Sequence, residues 1–436
     1  MPIRKVPNSE YSYYLIIHDE EGQERAEDDG SLLSQTVLVE LKTQPVTDVF
    51  VMSHGWRGDI PAAKSQYDAW MGNIMSATGD ITDMKGRRPG FRPLLIGLHW
   101  PSEPWGDEDA SSFAAAPDSV DPVEALVDDY AKRLSDAPDI REELRAIIQA
   151  HATVDDPQTL PREVKDAYLS LDEKLGLGQA GEGAAPGDDR PEFDPEDVFQ
   201  AARREEDEAS FGGFSIGDLL APLRVLSFWK MKDRARKFGE SGANKLLLAM
   251  YQAAAGKDLN VHLMGHSFGC IVVSAMLAGA PKLPASGLKV KSMVLVQGAL
   301  SLWSFCADIP KKEGTPGYFN RLLKGRQVTG PIVTTQSEFD AAVGTFYPLA
   351  AGLKQQVAFG EFPKYAGVGS FGVQGLPDIT TGRKMGDVAE DYSFQHGKIY
   401  NLESSQYIRT GPPPSGAHSD IVHPQIAHVI WQAARV

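Results

Sequence analysis

Short apolar runs, each about one strand long, recur along this chain and alternate with segments of helical spacing. "DVFVMSHGW" carries one at Val49–Met52, and "RPLLIGLHWP" carries another that ends at Pro101. "LNVHLMG", "VKSMVLVQGAL" and "GPIVTTQSEFD" follow, and "GKIYNLESS" supplies a late one. Runs this apolar suit strands buried on both faces, which means a parallel sheet covered by helices. Two earlier segments, "YSYYLIIHD" and "SQTVLVELK", are rich in β-branched and aromatic residues and also read as strands. Helical spacing runs through 60–77 and through 228–255, where Gly239 and Gly242 are places to bend or split. It returns in "FGCIVVSAMLAGA" from Phe268 and in "HPQIAHVIWQAAR" from His423. The alternation predicts an α/β protein with a mostly parallel sheet flanked by helices.

One stretch breaks the rhythm. Between about Asp107 and Pro222 no convincing strand is found. "DPVEALVDDYAKRLSDAPDIREELRAIIQAHA" reads as one or two amphipathic helices that break at Ala137-Pro138. Residues 181–210 hold eleven acids and three bases, which points to a solvated, mobile segment. The expected organisation is a core domain of 1–106 and 223–436 with a helical, acidic insertion at 107–222. That insertion is either a cap or lid over a site, or a structural addition at a sheet edge.

With 436 residues, 42 % of them hydrophobic, the chain can bury a large core without disulfides. Cys270 and Cys306 are the two cysteines and form no CxxC, so reduced, buried thiols are expected. A net charge of −16 disfavours nucleic acid and anionic membranes as partners. No signal-peptide pattern and no run long enough for an integral membrane segment is found, so a cytoplasmic location is expected.

"MGHSFG" places Ser267 between Gly265 and Gly269. A nucleophile elbow needs a buried strand before the serine, a helix after it, and small residues around a strained turn. "VHLM", "CIVVSAML" and the two glycines meet those demands. Attack on an acyl group builds negative charge on the carbonyl oxygen, so backbone N–H groups should face it. The N–H of Phe268 is the first candidate. The N–H of Trp56 is the second, in "MSHGWRGD" after an earlier strand, where Gly55 allows close approach.

A serine hydroxyl needs a base, and the base needs a carboxylate to orient it. Asp340 follows the strand that ends near Thr335, with Glu338 and Asp308 as rivals. His418 lies in a Gly/Pro-rich loop before the last helix. His396, His423 and His428 are the other late histidines. His428 looks like a packed helix-face residue, and His423 like part of a helix cap. No His/Cys/Asp spacing supports a metal site, and no cofactor is expected.

These motifs in this order, HG after a strand, "GHSFG", "SEFD" and "AHSD", resemble the α/β-hydrolase superfamily. Within it, "HGW", "LHWPS" and "TQSEFDAAVG" resemble bacterial members of unassigned substrate. Ala417 stands where glycine usually precedes the histidine. The resemblance covers 47–101 and 228–436 and leaves out 107–222. It implies a Ser267–Asp340–His418 triad, Trp56 and Phe268 as oxyanion donors, and no cofactor. Trp303, Phe305 and Phe346 are candidates to line an apolar acyl pocket. The expected activity is that of a carboxylesterase or lipase on a small-molecule or lipid-like ester. A serine peptidase or amidase on the same triad is an alternative, as is a non-enzymatic protein that binds through the insertion.

Overall fold

The structure, a computed structural model, describes residues 3–55, 60–102, 121–134, 140–153, 157–177, 184–208, 218–279, 290–310, 312–342, 362, 365–412 and 415–436. The chain divides into two compact units. One comprises Met1–Ser102, Gly183–Pro186 and Arg234–Val436, and the other Glu103–Glu182 and Gly187–Asp233.

Among its described residues, the first unit is built on a nine-stranded sheet. Its strands are β1 (Ile3–Lys5), β2 (Ser12–Ile17), β3 (Asp48–Ser53), β4 (Pro93–His99), β5 (Asn260–His266), β6 (Ser292–Val296), β7 (Ile332–Gln336), β8 (Thr380–Lys384) and β9 (Ile399–Glu403). Their order is β1-β2-β4-β3-β5-β6-β7-β9-β8. Every neighbouring pair is parallel except β1 with β2. The apolar runs have a plain cause: β3 and β5 are buried at every residue, because both faces are covered. Phe50, Met52, Leu95, Met264, Val294 and Leu402 lie in one core cluster with Tyr67 and Trp70 of helix Ile60–Ser76 and Trp431 of helix Pro424–Ala434. Helix Gly269–Ala278 is buried along its whole length.

Segment 34–42 departs from its expected strand and lies in helix Leu33–Thr43. Its β-branched residues suggest a strand, but Leu33, Val37 and Leu41 fall one turn apart and bury one stripe, while Val39 is exposed. β1 and β8 are short edge strands with little apolar content, so no hydrophobic pattern announced them. Helix Ala221–Phe238 continues through a π-helical turn, Gly239–Ala243, into helix Asn244–Ala253. Both glycines are needed for close packing: a Cβ on Gly239 would lie 2.5 Å from the Ala275 Cβ, and one on Gly242 would lie 2.3 Å from the Gly22 carbonyl oxygen.

The second unit is helical among its described residues, with helices Pro122–Arg133, Arg141–Thr153, Arg162–Lys174 and Pro195–Glu208. The expected break at Ala137-Pro138 lies outside the described residues. Where it is described, the acidic stretch is solvated in part: Asp188, Glu192, Asp194 and Asp197 are exposed, but other residues are buried. Phe199 is fully buried, and Asp189 and Arg190 are buried too. Their partners supply the reason, since Lys232 Nζ lies 2.5 Å from Asp189 and Arg190 lies 2.7 Å from Asp172. Burial pushes the Asp189 carboxyl up and the Lys232 ammonium down, and each pulls the other back towards its charged form. Among the described residues, no helix is long and apolar enough to cross a membrane.

Helix Pro424–Ala434 is fastened by His428. Its Nδ1 lies 2.9 Å from both Asp80 carboxylate oxygens and its Nε2 lies 2.7 Å from the Glu390 carbonyl. Both partners accept, so both ring nitrogens carry protons and the ring is an imidazolium. Burial alone would lower its pKa, but the Asp80 and Glu390 bonds outweigh that and raise it. A raised folded-state pKa gives stability that is complete below the unfolded value, about 6.5, and is lost as pH rises through the folded value. His428→Gln is therefore expected to destabilise by about 1–3 kcal/mol at pH 6 and by less at pH 8, with urea unfolding at both pH values as the measurement. An equal loss at both values would contradict the charged ring.

Candidate active site

β5 ends at His266, and helix Gly269–Ala278 begins three residues later. The chain reverses at Ser267 with φ 56°, a left-handed conformation that is rare outside glycine. Three glycines make the turn possible. A Cβ on Gly265 would lie 2.4 Å from the Gly269 carbonyl carbon, and one on Gly269 would lie 2.1 Å from the Ser53 carbonyl oxygen. A Cβ on Gly55 would lie 2.5 Å from the Ser267 Cβ. Gly55 thus brings bare backbone against the serine from the end of β3.

Ser267 Oγ lies 2.7 Å from His418 Nε2. His418 Nδ1 lies 3.0 Å and 2.9 Å from the two Asp340 carboxylate oxygens. All three residues are buried. The Nδ1–H is committed to the carboxylate, so Nε2 faces the serine with a lone pair. Asp340 follows β7, and His418 lies in a 3-10 turn, Ala417–Ser419, after β9. The two loops are stitched together. Ala417 N–H donates to the Phe339 carbonyl (2.9 Å), and Ala342 N–H donates to the Ser415 carbonyl (3.1 Å). Gly416 sits at φ 55°, and a Cβ there would lie 2.6 Å from the Phe339 carbonyl oxygen. Asp420 ties the histidine loop down by accepting from the N–H groups of Arg409 (3.0 Å) and Thr410 (2.9 Å) and from His423 Nε2 (2.8 Å).

Phe268 stands at the start of the helix and is fully buried. Trp56 and Phe346 lie outside the described residues. Trp303 packs in a small cluster with Leu302, Cys306 and Ile309, its ring 6.4 Å from that of Phe362. Phe305 is fully buried, its ring 5.8 Å from that of Phe319. Glu338 is exposed, and Asp308 accepts from the Thr315 N–H. His396 is exposed and bonds the Thr329 carbonyl. Among the described residues, no group of His, Cys, Asp and Glu is arranged to hold a metal ion.

Three further residues shape the site. His54 Nδ1–H donates to the Gly55 carbonyl (2.8 Å), and Ser102 Oγ–H donates to the same oxygen (3.0 Å). Burial, with His99 nearby, pushes the His54 pKa down to about 3, so the ring is neutral. His266 Nε2–H donates to the His418 carbonyl (2.9 Å), and burial with His418 alongside lowers its pKa to about 3. Gln297, just after β6, donates from Nε2 to Asp340 Oδ2 (2.8 Å). His54 and His266 lie inside the two motifs and could be suspected from them. Gln297 lies in "VLVQGAL", where a polar residue closes an apolar run.

A second serine–histidine–aspartate chain sits at the other end of the same strands. Ser292 Oγ lies 2.9 Å from His262 Nδ1, and His262 Nε2 lies 3.1 Å from Asp48. The ring is reversed relative to His418, and Ser292 is the first residue of β6, paired in register with His262. Among the described residues, it has neither the strained turn nor a helix start beside it. Arg88 lies 3.1 Å from the other Asp48 oxygen, so the group ties the starts of three strands together.

Compared with family models, curated proteins and solved structures, the chain matches none.

The glycine contacts set a stability expectation. Gly265→Ala and Gly269→Ala should each cost more than about 3 kcal/mol or prevent folding, because backbone atoms cannot move aside. Gly86→Ala, in helix Thr78–Arg87 with open space around it, should stabilise by up to about 1 kcal/mol. Thermal unfolding of the three variants measures both effects, and a mild loss for the first two would mean that the turn is not tightly held.

Proposed function

We propose that this chain is a serine hydrolase of the α/β-hydrolase fold that cleaves carboxylic esters. The observation that carries the reading is the unbroken hydrogen-bond chain from Ser267 through His418 to Asp340, with the serine on a left-handed strand-to-helix turn.

In this reading His418 Nε2 takes the Ser267 hydroxyl proton as Oγ bonds to the substrate carbonyl carbon. Asp340 stabilises the imidazolium that results. The tetrahedral oxyanion would be held by the N–H groups of Phe268 and Trp56, each such donor being worth about 10²- to 10³-fold in rate. His418 then passes its proton to the departing alkoxide as the carbon–oxygen bond breaks, which releases an alcohol and leaves Ser267 acylated. Water repeats the sequence, giving its proton to His418 while its oxygen bonds to the acyl carbon. The ester bond to Ser267 breaks, the proton returns to Oγ, and a carboxylic acid leaves. His54 and His266 stay neutral in any working pH range, so neither repels the transient charge on His418.

Hydrolysis of p-nitrophenyl esters of increasing acyl length tests the proposal. Ser267→Ala should lower kcat by about 10⁶-fold and Asp340→Asn by about 10⁴-fold. Ser292→Ala, which changes the other serine–histidine–aspartate group, should stay within about twofold of wild type, because that serine lies in a strand and lacks the left-handed turn of Ser267. Equal rates for wild type and Ser267→Ala would sink the reading. Turnover of a p-nitroanilide instead of the esters would move it to an amidase.

A further inference from the structure

Gln297 is fully buried, and its backbone sits at φ 46°. A core position that needed only volume would take leucine or methionine at lower desolvation cost. Here the polar atoms are used. The Thr335 hydroxyl accepts from the Gln297 backbone N–H (3.0 Å) and donates to its side-chain Oε1 (2.8 Å). That second bond decides which way the amide faces: Oε1 takes the threonine proton, so Nε2 must point the other way. Nε2 then donates to Asp340 Oδ2 at 2.8 Å and to the Gly369 carbonyl at 3.3 Å. The backing wall is tight, since a Cβ on Gly369 would lie 3.0 Å from Asp340 Oδ2 and 2.9 Å from the Gln297 carbonyl carbon.

We infer that Gln297 is a positioning residue: its amide, oriented by Thr335, fixes the rotation of the Asp340 carboxylate and through it the tilt and tautomer of His418. The inference rests on the serine-hydrolase reading. A carboxylate free to rotate would offer His418 a bond of varying direction, and the lone pair on Nε2 would wander from the serine. The Gln297 bond also draws part of the carboxylate charge away from His418. Without it, the imidazolium is held harder and its proton is given up less readily.

Gln297→Met and Gln297→Glu test this, because both keep the length of the side chain and the strain of the backbone. Gln297→Met should lower kcat/KM about 10- to 100-fold, the range of one hydrogen bond to a charged group, mainly through kcat. It should also move the acid limb of the pH profile upward. Gln297→Glu can donate to Asp340 only while protonated. It should stay near wild type at the acid end of the profile and lose activity as pH rises and two carboxylates come to face each other. A residue that only fills space would move stability and leave both profiles unchanged. Thr335→Val, which removes only the hydroxyl that sets the amide, carries the same readouts should the Gln297 variants not fold.

Labelling with a fluorophosphonate separates this inference from the one beneath it. If wild-type Ser267 is labelled and the variants keep wild-type rates and pH profiles, Gln297 does not position the site and the hydrolase reading stands. If wild-type Ser267 is not labelled, the hydrolase reading fails. The downfield NMR signal of the His418 Nδ1 proton then decides for Gln297, whose hold on Asp340 is supported if both variants shift the signal and overturned if neither does.

Discussion

A serine held at φ 56° costs the backbone of order 1–2 kcal/mol, and the surrounding structure exists in a form that keeps it there. Gly265 and Gly269 let strand and helix meet at a spacing that no Cβ would allow, and Gly55 closes the third side. The turn lifts the hydroxyl off the end of a sheet whose strands run in parallel, so their carboxyl ends gather at one edge. Ser267, Gln297, Asp340 and His418 all follow such ends, after β5, β6, β7 and β9. A parallel sheet therefore does in the large what the turn does in the small, bringing residues far apart in sequence to one rim.

The two serine–histidine–aspartate groups separate residue type from chemistry. Both are buried and hydrogen-bonded at similar distances. Ser292 is a strand residue whose hydroxyl serves its histidine, and that histidine serves a carboxylate already matched by Arg88. Ser267 is turned out of the ladder into a left-handed corner, and its histidine comes from a loop rather than a neighbouring strand. The first arrangement lowers the cost of burying polar groups. The second leaves a proton acceptor aimed at a hydroxyl on a helix start.

Much of this was legible in the sequence. Ser267, Asp340 and His418 could be chosen because each sits in a loop after an apolar run, and apolar runs mark buried strands. Gln297 could not be, since one polar residue at a strand end has many ordinary explanations and its value lies in contacts with Thr335 and Asp340. Segment 34–42 misled because intrinsic β preference and helical spacing compete there, and tertiary burial of Leu33, Val37 and Leu41 decided for the helix. In the acidic stretch Asp188, Glu192, Asp194 and Asp197 are exposed as the charge suggests, whereas Asp189 is buried, because net charge says nothing of a partner such as Lys232, which is distant in sequence. β1 and β8 carry too little apolar surface to leave a pattern.

The helical unit is inserted between β4 and β5, yet β5 pairs with β3 in the middle of the sheet, Asp48 opposite Asn260. In folding, that pairing closes one very long loop, and loop closure is what slows parallel sheets. Helices, whose contacts are local, form sooner than distant strand pairs. An insertion that has already folded behaves as a shorter tether, because loop entropy depends on the length that remains loose. Were the inserted helices to form first, the central seam of the sheet would close over a shorter loose length.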